Sequence, residues 1–305
     1  MSLQEVKQVW AAYFSATGNT AQVVKALANE LAKQFNVKKR SRNFTLPKAR
    51  ETEYAFQPTD LVVFGTPVYA GRVPNKIMPF IRDSFVGNGA LVVPVVTFGN
   101  RSYDDGLIEL CTLLETNGFH TIAAVAQAAR HAFSDLAMDR PNHADMNRLN
   151  EFAIQIADKI NGLKELPEPI IVTGNNPVGP YYTPLGVDGK PTVFLKAKPK
   201  TDRDKCDYCG ACIRLCPMGA IAKTDPADIP GLCIKCQACV KVCHTDAKFF
   251  DDPAFLSHKA MLEQTYGDLK QSEFFILSFI DAEILTKQRP ILWKRKTKLP
   301  ISNAA

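Results

Sequence analysis

Residues 205–217 read KCDYCGACIRLCP, four cysteines within eleven positions followed by a proline. A near copy, LCIKCQACVKVCH, returns at 232–244. Cys206, Cys209, Cys212 and Cys216 map onto Cys233, Cys236, Cys239 and Cys243 at one constant offset of 27 residues, and both runs have the spacing C-x2-C-x2-C-x3-C. Three cysteines at such intervals wrap a loop around one face of a ligand. The fourth lies a turn further on and points away from that loop. The repeat therefore asks twice for a ligand with four thiolate bonds.

Disulfides are the first alternative. Nine cysteines would suit a small secreted domain, but this chain has 305 residues and eight of the nine lie in the repeat. No basic stretch leading into an apolar one opens the sequence, so a secretory leader is not expected and a cytoplasmic location is. In that compartment such spacing points to metal. Zinc is the second alternative, but zinc sites use C-x2-C pairs, often with histidine, and leave the third and fourth cysteines unexplained. Iron in a cubane takes one thiolate at each corner, and in two-cluster proteins the fourth cysteine of each run serves the other cluster. Two 4Fe-4S clusters are expected, one on Cys206, Cys209, Cys212 and Cys243, the other on Cys233, Cys236, Cys239 and Cys216. Cys111 lies in an apolar helical pattern and reads as a plain buried thiol.

The rest of the chain is ordinary for a soluble globular protein, with 46% apolar and 22% charged residues. No apolar run approaches the roughly 20 residues that span a bilayer; the longest, FFILSFIDAEIL at 274–285, carries Asp281 and Glu283. The net charge of +6 is matched by six basic residues between Lys287 and Lys298, so the body is near neutral and does not argue for a nucleic-acid partner. That basic stretch reads as a solvated, poorly ordered tail over 286–305.

Residues 1–165 alternate apolar runs with amphipathic ones. Strands are expected at 6–14, 60–69, 90–99 and 121–130, with a polar one near 37–45. Helices are expected at 20–35, 75–85, 103–118 and 144–160. Continuous apolar strands separated by helices imply a five-stranded, doubly wound parallel sheet covered on both faces. Residues 166–200 are rich in proline and glycine and read as an extended surface connector. The repeat occupies 201–250, and 251–285 reads as a helical extension with a helix near 252–269.

The first strand runs into FSATGNT at 14–20, where Ser15, Thr17, Asn19 and Thr20 crowd around Gly18 just before a helix. Hydroxyls and the unpaired N–H groups of a helix start can hold a phosphate; Ser15 or Thr17 could equally cap the helix and do nothing more. Two further loops leave the same edge of the expected sheet. GTPVYAGRVP brings Thr66, Pro67, Tyr69 and Gly71, and TFGNRSYDD brings Phe98, Gly99, Asn100 and Tyr103. Ligands of open parallel sheets bind at that edge. Gly65, Gly71 and Gly99 would let backbone approach a ligand, and Tyr69 with Phe98 or Tyr103 could stack on it, Phe98 being equally readable as core.

Over residues 5–163 this constellation resembles the flavodoxins, which implies FMN with its phosphate on 15–20 and its ring between the two later loops. No G-x-G-x-x-G follows the first strand, which tells against a Rossmann-type dinucleotide. The repeat resembles the bacterial two-cluster ferredoxins, a small α+β fold; CPMGAI at 216–221 matches that family's C-P-x-x-A-I ending, whereas His244 stands where proline is usual. Up to about residue 276 the chain is similar to the EFR-type ferredoxin family, in which both units are fused. The resemblance implies an electron-transfer protein that passes charge between two clusters and FMN and links one-electron protein carriers, a ferredoxin or a reductase, to a two-electron partner. No acid, base or nucleophile is required. An FMN-dependent reductase of a quinone or nitroaromatic, and a redox sensor, are the competing expectations. An open flavin face near Arg72 and Arg101 would favour the reductase, and a flavin covered by protein would favour the carrier.

Overall fold

A computed structural model describes residues 4–276. The first unit contains β1 (Gln8–Tyr13), α1 (Asn19–Gln34), β2 (Lys39–Asn43), β3 (Tyr54–Ala55), β4 (Asp60–Pro67), α2 (Met78–Ser84), β5 (Phe85–Val86), β6 (Leu91–Phe98), α3 (Gly106–Thr116), β7 (His120–Thr121), β8 (Ala123–Ala128) and α4 (His143–Gly162). The long strands pair in parallel in the order β2-β1-β4-β6-β8. This is a flavodoxin-like α/β fold.

Alternation along each strand splits the core in two. Trp10, Ala12, Val62, Phe64, Val92 and Val96 face one side of the sheet, against α3 and a group of buried phenylalanines that includes Phe44, Phe56 and Phe85. Val9, Ala11, Leu61, Val63, Val93 and Val95 face the other side, with Val24, Leu27 and Leu31 of α1 and Phe152 and Ile156 of α4. Both faces are dry, which is why these strands read as unbroken apolar runs. The edge strand β2, KRSRN, is the exception: it is mostly exposed, and its charge discourages pairing with another chain.

Two features depart from the expected sheet. The fifth strand is split into β7 and β8. Leu91 and Val92 pair with His120 and Thr121, but Val95 pairs with Val125, so the offset grows from 29 to 30. The extra residue lies opposite Pro94, which has no N–H to give a central ladder, and a one-residue bulge absorbs the defect. The sheet also gains a member from the far end of the chain. The expected helical extension is helical only over α7 (Pro253–Thr265); β11 (Glu273–Ile276) then pairs antiparallel with β8 and covers an otherwise bare edge. The remainder of that extension and the basic tail lie outside the described residues.

Between the two units, residues 166–200 do more than cross the surface. Ile170 and Val172 are buried in the core beneath the sheet. The Asp105 carboxylate accepts hydrogen bonds from the N–H groups of Asn175 (2.8 Å) and Gly179 (2.7 Å). Burial pushes that carboxyl up, but these donors outweigh it and hold its pKa below the usual range.

The second unit is a small α+β module: β9 (Lys200–Thr201) pairs antiparallel with β10 (Lys248–Phe249), and α5 (Ala211–Arg214) and α6 (Ala238–Lys241) lie between them in sequence. The 27-residue repeat is kept in the backbone. α5 and α6 start 27 residues apart, and left-handed conformations recur at Tyr208 and Lys235, Gly210 and Gln237, and Gly219 and Asp246. The module packs on the first unit through Met218 and Ile234, which contact the core beneath the sheet, and the Arg50 guanidinium donates to the Pro217 carbonyl.

Candidate functional site

Cys216 and Pro217 line one small cavity together with Cys233, Cys236 and Cys239. These are the four thiols that the crossed arrangement groups together. Two of the sulfurs already accept backbone hydrogen bonds, Cys216 Sγ from Ala220 N–H at 3.3 Å and Cys233 Sγ from Lys235 N–H at 3.4 Å. Burial pushes the Cys236 and Cys239 thiols up to about 12. A bare thiolate is unfavourable there, whereas a thiolate bound to a cation is not. The donor set fits an iron–sulfur cluster and leaves no histidine or carboxylate in the lining.

The other four cysteines form a more open group. Cys212 is buried, Cys206 and Cys243 are half-buried, and Cys209 is exposed. Burial raises the Cys212 thiol; Lys248 and the Ile213 N–H oppose it, and Cys243 and Cys206 add to it. Cys212 and Cys239 share one apolar core with Ala220, Ile221 and Ile229, so the two cysteine groups meet inside the module. His244, which replaces the usual proline, reaches back toward the first run, with its Nε2 3.0 Å from Asp207 Oδ2 and its ring near Cys209. The departure at His244 therefore bears on the surroundings of Cys209.

The sheet edge carries a larger cavity of about 510 Å³. Of the residues expected there from sequence, Thr17, Asn19, Thr20, Pro67, Tyr69, Gly71, Phe98 and Gly99 line it. Ser15, Gly18, Thr66, Asn100 and Tyr103 do not. Ser15 holds the loop: its Oγ accepts from Ala21 N–H at 3.0 Å, and its own N–H donates to Thr45 Oγ1 at 2.9 Å. Gly18 supplies the left-handed φ of 98° from which α1 begins. Thr66 is wholly buried within its strand. Asn100 turns away, donating to the carbonyls of Tyr266 and Asp268 and accepting from Lys270 N–H. Tyr103 is buried against Phe98 and donates to Glu273 Oε2 at 2.8 Å.

Even among the lining residues the roles differ. Thr20 shares a 2.7 Å hydrogen bond with Thr97 that pins the start of α1 to the sheet. Asn19 donates to the Arg130 carbonyl at 3.0 Å. Tyr69 and Arg72 bond to each other across a tight turn in which Ala70 and Gly71 both have positive φ. Packing alone requires glycine at 65 and 99: a side chain at Gly65 would strike Val24 of α1, and one at Gly99 would strike His131.

Much of the cavity wall had no local signature. Arg130 follows β8 beside the 15–20 loop, and among the described residues its buried Nε has no hydrogen-bond partner. A guanidinium with an orphaned donor next to hydroxyls and a helix start fits a phosphate. The roof comes from the connector. Tyr182 N–H donates to the Ala70 carbonyl at 2.9 Å, Tyr181 hydroxyl to the Val73 carbonyl at 3.0 Å, and Phe194 and Leu195 complete the cover. Arg72 is committed to Glu109 and lies 4.9 Å over the Tyr181 ring; Arg101 pairs with Asp104 and lies 4.0 Å over the Tyr182 ring. The last wall is the second cysteine loop itself: Leu232, Cys233, Ile234 and Lys235. Tyr69 sits close to it; burial first, then Cys236 and Cys233, raise its phenol pKa well above the ordinary value.

Comparison with known proteins matches part of each unit. The flavodoxin domain family matches residues 11–93, and the 4Fe-4S binding domain family matches residues 199–222. No curated protein matches the chain. Among solved structures, a flavodoxin from the domain Archaea shares 15% identity at a TM-score of 0.36, covering 50% of this chain and 99% of that one. A flavodoxin from Streptococcus pneumoniae TIGR4 shares 19% identity at a TM-score of 0.35, again over 50% and 99%. Rubredoxin oxygen:oxidoreductase from Desulfovibrio gigas shares 16% identity at a TM-score of 0.37, over 52% of this chain and 37% of that one. The chain thus joins a flavodoxin-like domain to a 4Fe-4S binding domain. The first domain implies FMN and the second a 4Fe-4S cluster. No helix among the described residues is long and apolar enough to cross a membrane.

Proposed function

We propose that this protein is an electron-transfer flavo-iron–sulfur protein of the EFR type, with FMN in the covered cavity and two 4Fe-4S clusters on the eight repeat cysteines. It links one-electron carriers to a two-electron partner. The observation that carries this reading is Cys233, which lines both the cluster cavity and the flavin cavity. One short stretch of chain, residues 233–235, thus borders both sites.

FMN supplies the ability to hold one electron or two, and the clusters pass electrons singly. The chain's own work is placement and tuning. Thr17, Asn19 and Arg130 would hold the phosphate end, and Tyr69 and Phe98 would border the ring. N–H donors at Ala220 and Lys235 stabilise the charge on cluster sulfur. The connector and the cysteine loop border the cavity.

The cover also weighs the carrier against the reductase. Arg72 and Arg101 are occupied by Glu109, Asp104 and the two tyrosines, so neither waits for an organic substrate. Anaerobic reconstitution of the full chain tests the proposal. It should take up about eight irons and one FMN, and its flavin should be reoxidised by a ferredoxin faster than by quinones or nitroaromatics. Uptake of zinc in place of iron, or no flavin, would refute it.

A further inference from the structure

The two cysteine groups are related by sequence repetition, yet they face different surroundings. Cys233, Ile234 and Lys235 form a common wall of the cluster cavity and the flavin cavity. None of Cys206, Cys209, Cys212 and Cys243 touches the flavin cavity. Cys236 and Cys239 are buried, whereas Cys209 is exposed. The contrast extends to equivalent positions. Lys235 is half-buried, and its Nζ donates to the Leu195 carbonyl of the connector at 2.7 Å. Its counterpart 27 residues earlier, Tyr208, is 55% exposed and stands next to Cys209. Both have the same left-handed backbone, φ 56° and 57°.

We propose that the two cluster sites form a fixed series: the Cys216/Cys233/Cys236/Cys239 site is the inner station that exchanges electrons with the flavin, and the Cys206/Cys209/Cys212/Cys243 site is the outer terminal, where a one-electron carrier protein docks over Tyr208 and Cys209. This rests on the reading above, that clusters and flavin occupy these sites. The shared core of Cys212 and Cys239 joins the stations. Each step oxidises one centre and reduces the next by a single electron, and no bond is broken. Two steps deliver two electrons to the flavin, with protons taken from water. A protein is favoured as the outer partner because the exposed Cys209 would bring a cluster held there close to the surface, beside the exposed Tyr208. Charges of both signs border it, Arg203, Lys205 and Asp207. The flavin, by contrast, lies under the connector.

The repeat offers a matched pair of variants. Lys235→Gln removes a positive charge from the inner wall; Tyr208→Lys adds one at the equivalent outer position, whose backbone already suits lysine. Both are made in the full chain, loaded with iron and FMN, and titrated by spectroelectrochemistry. Lys235→Gln should move the flavin and one cluster to more negative potentials. Tyr208→Lys should move the other cluster to a more positive potential and leave the flavin where it was. In addition, Tyr208→Glu should slow reduction by a reduced bacterial ferredoxin at least tenfold more than reduction by dithionite. A flavin potential that follows Tyr208→Lys, or that ignores Lys235→Gln, overturns the series, as does an equal slowing with both reductants. Iron and flavin contents of the unaltered protein are measured first, so failure of the cofactor assignment is seen separately from failure of the order.

Discussion

The guanidinium of Arg101 lies 4.0 Å over the ring of Tyr182, and both line the larger cavity. One residue comes from the loop after β6 and the other from the connector, so this contact closes the roof onto the sheet edge. An exposed cation–π contact contributes about 0.5–1 kcal/mol and a desolvated one about 2.

Opening that contact should loosen the flavin. Arg101→Ala is expected to raise the FMN dissociation constant about tenfold, ~1.4 kcal/mol. Flavin fluorescence on serial dilution measures it. Retention equal to the unaltered protein would mean that the roof does not hold the flavin.

The proposed crossed ligation predicts which cysteine losses coincide. Cys216→Ala should cut iron from about eight to about four per chain, and adding Cys239→Ala should remove no more. Cys216→Ala with Cys212→Ala should remove nearly all, where the uncrossed arrangement would keep about four. Iron and sulfide assays distinguish this from the uncrossed alternative, in which Cys216 and Cys243 would each follow their own run.

His131 is buried at the cavity wall, and its pKa is lowered to about 3, by burial first and then by His258, Lys241, Arg101 and Lys259. An unfolded histidine titrates near about 6.5. Between those values the unfolded chain binds a proton that the folded chain refuses, so this histidine's contribution is complete above about pH 6.5 and is lost as the pH falls toward 3. Urea unfolding of the metal-free chain under reducing conditions should show stability falling with a slope of up to about 1.4 kcal/mol per pH unit from this group. His131→Asn should flatten that part of the profile. An unchanged slope would place the charge change elsewhere.

Asn100 holds the segment that leads into β11 with three hydrogen bonds, to Tyr266, Asp268 and Lys270. It also has a positive φ of 64°. Asn100→Gly keeps that backbone and removes the amide, leaving the strap's backbone groups without partners. A loss of about 3 kcal/mol is expected, together with faster amide exchange over 266–276. Protection that persists there would show that strand pairing alone secures the strap.

What could be read from the chain alone was whatever depends on near neighbours. The strands showed as continuous valine-rich runs because both faces of the sheet are buried, and α1, α3 and α4 showed as apolar residues at helical spacing. The 4Fe-4S binding domain at 199–222 showed in its cysteine interval because iron coordination is set by residue type and spacing. Tertiary structure decided the rest. Asn100 and Tyr103 looked like cavity residues from their loop, but their partners lie some 170 positions away, at Lys270 and Glu273. Pro94 broke a ladder whose other rail is remote in sequence. The connector became a roof because Ala70 and Val73 left carbonyls for Tyr182 and Tyr181 to meet. Such choices depend on which distant group still lacks a hydrogen-bond partner or a dry neighbour, and no local pattern records that.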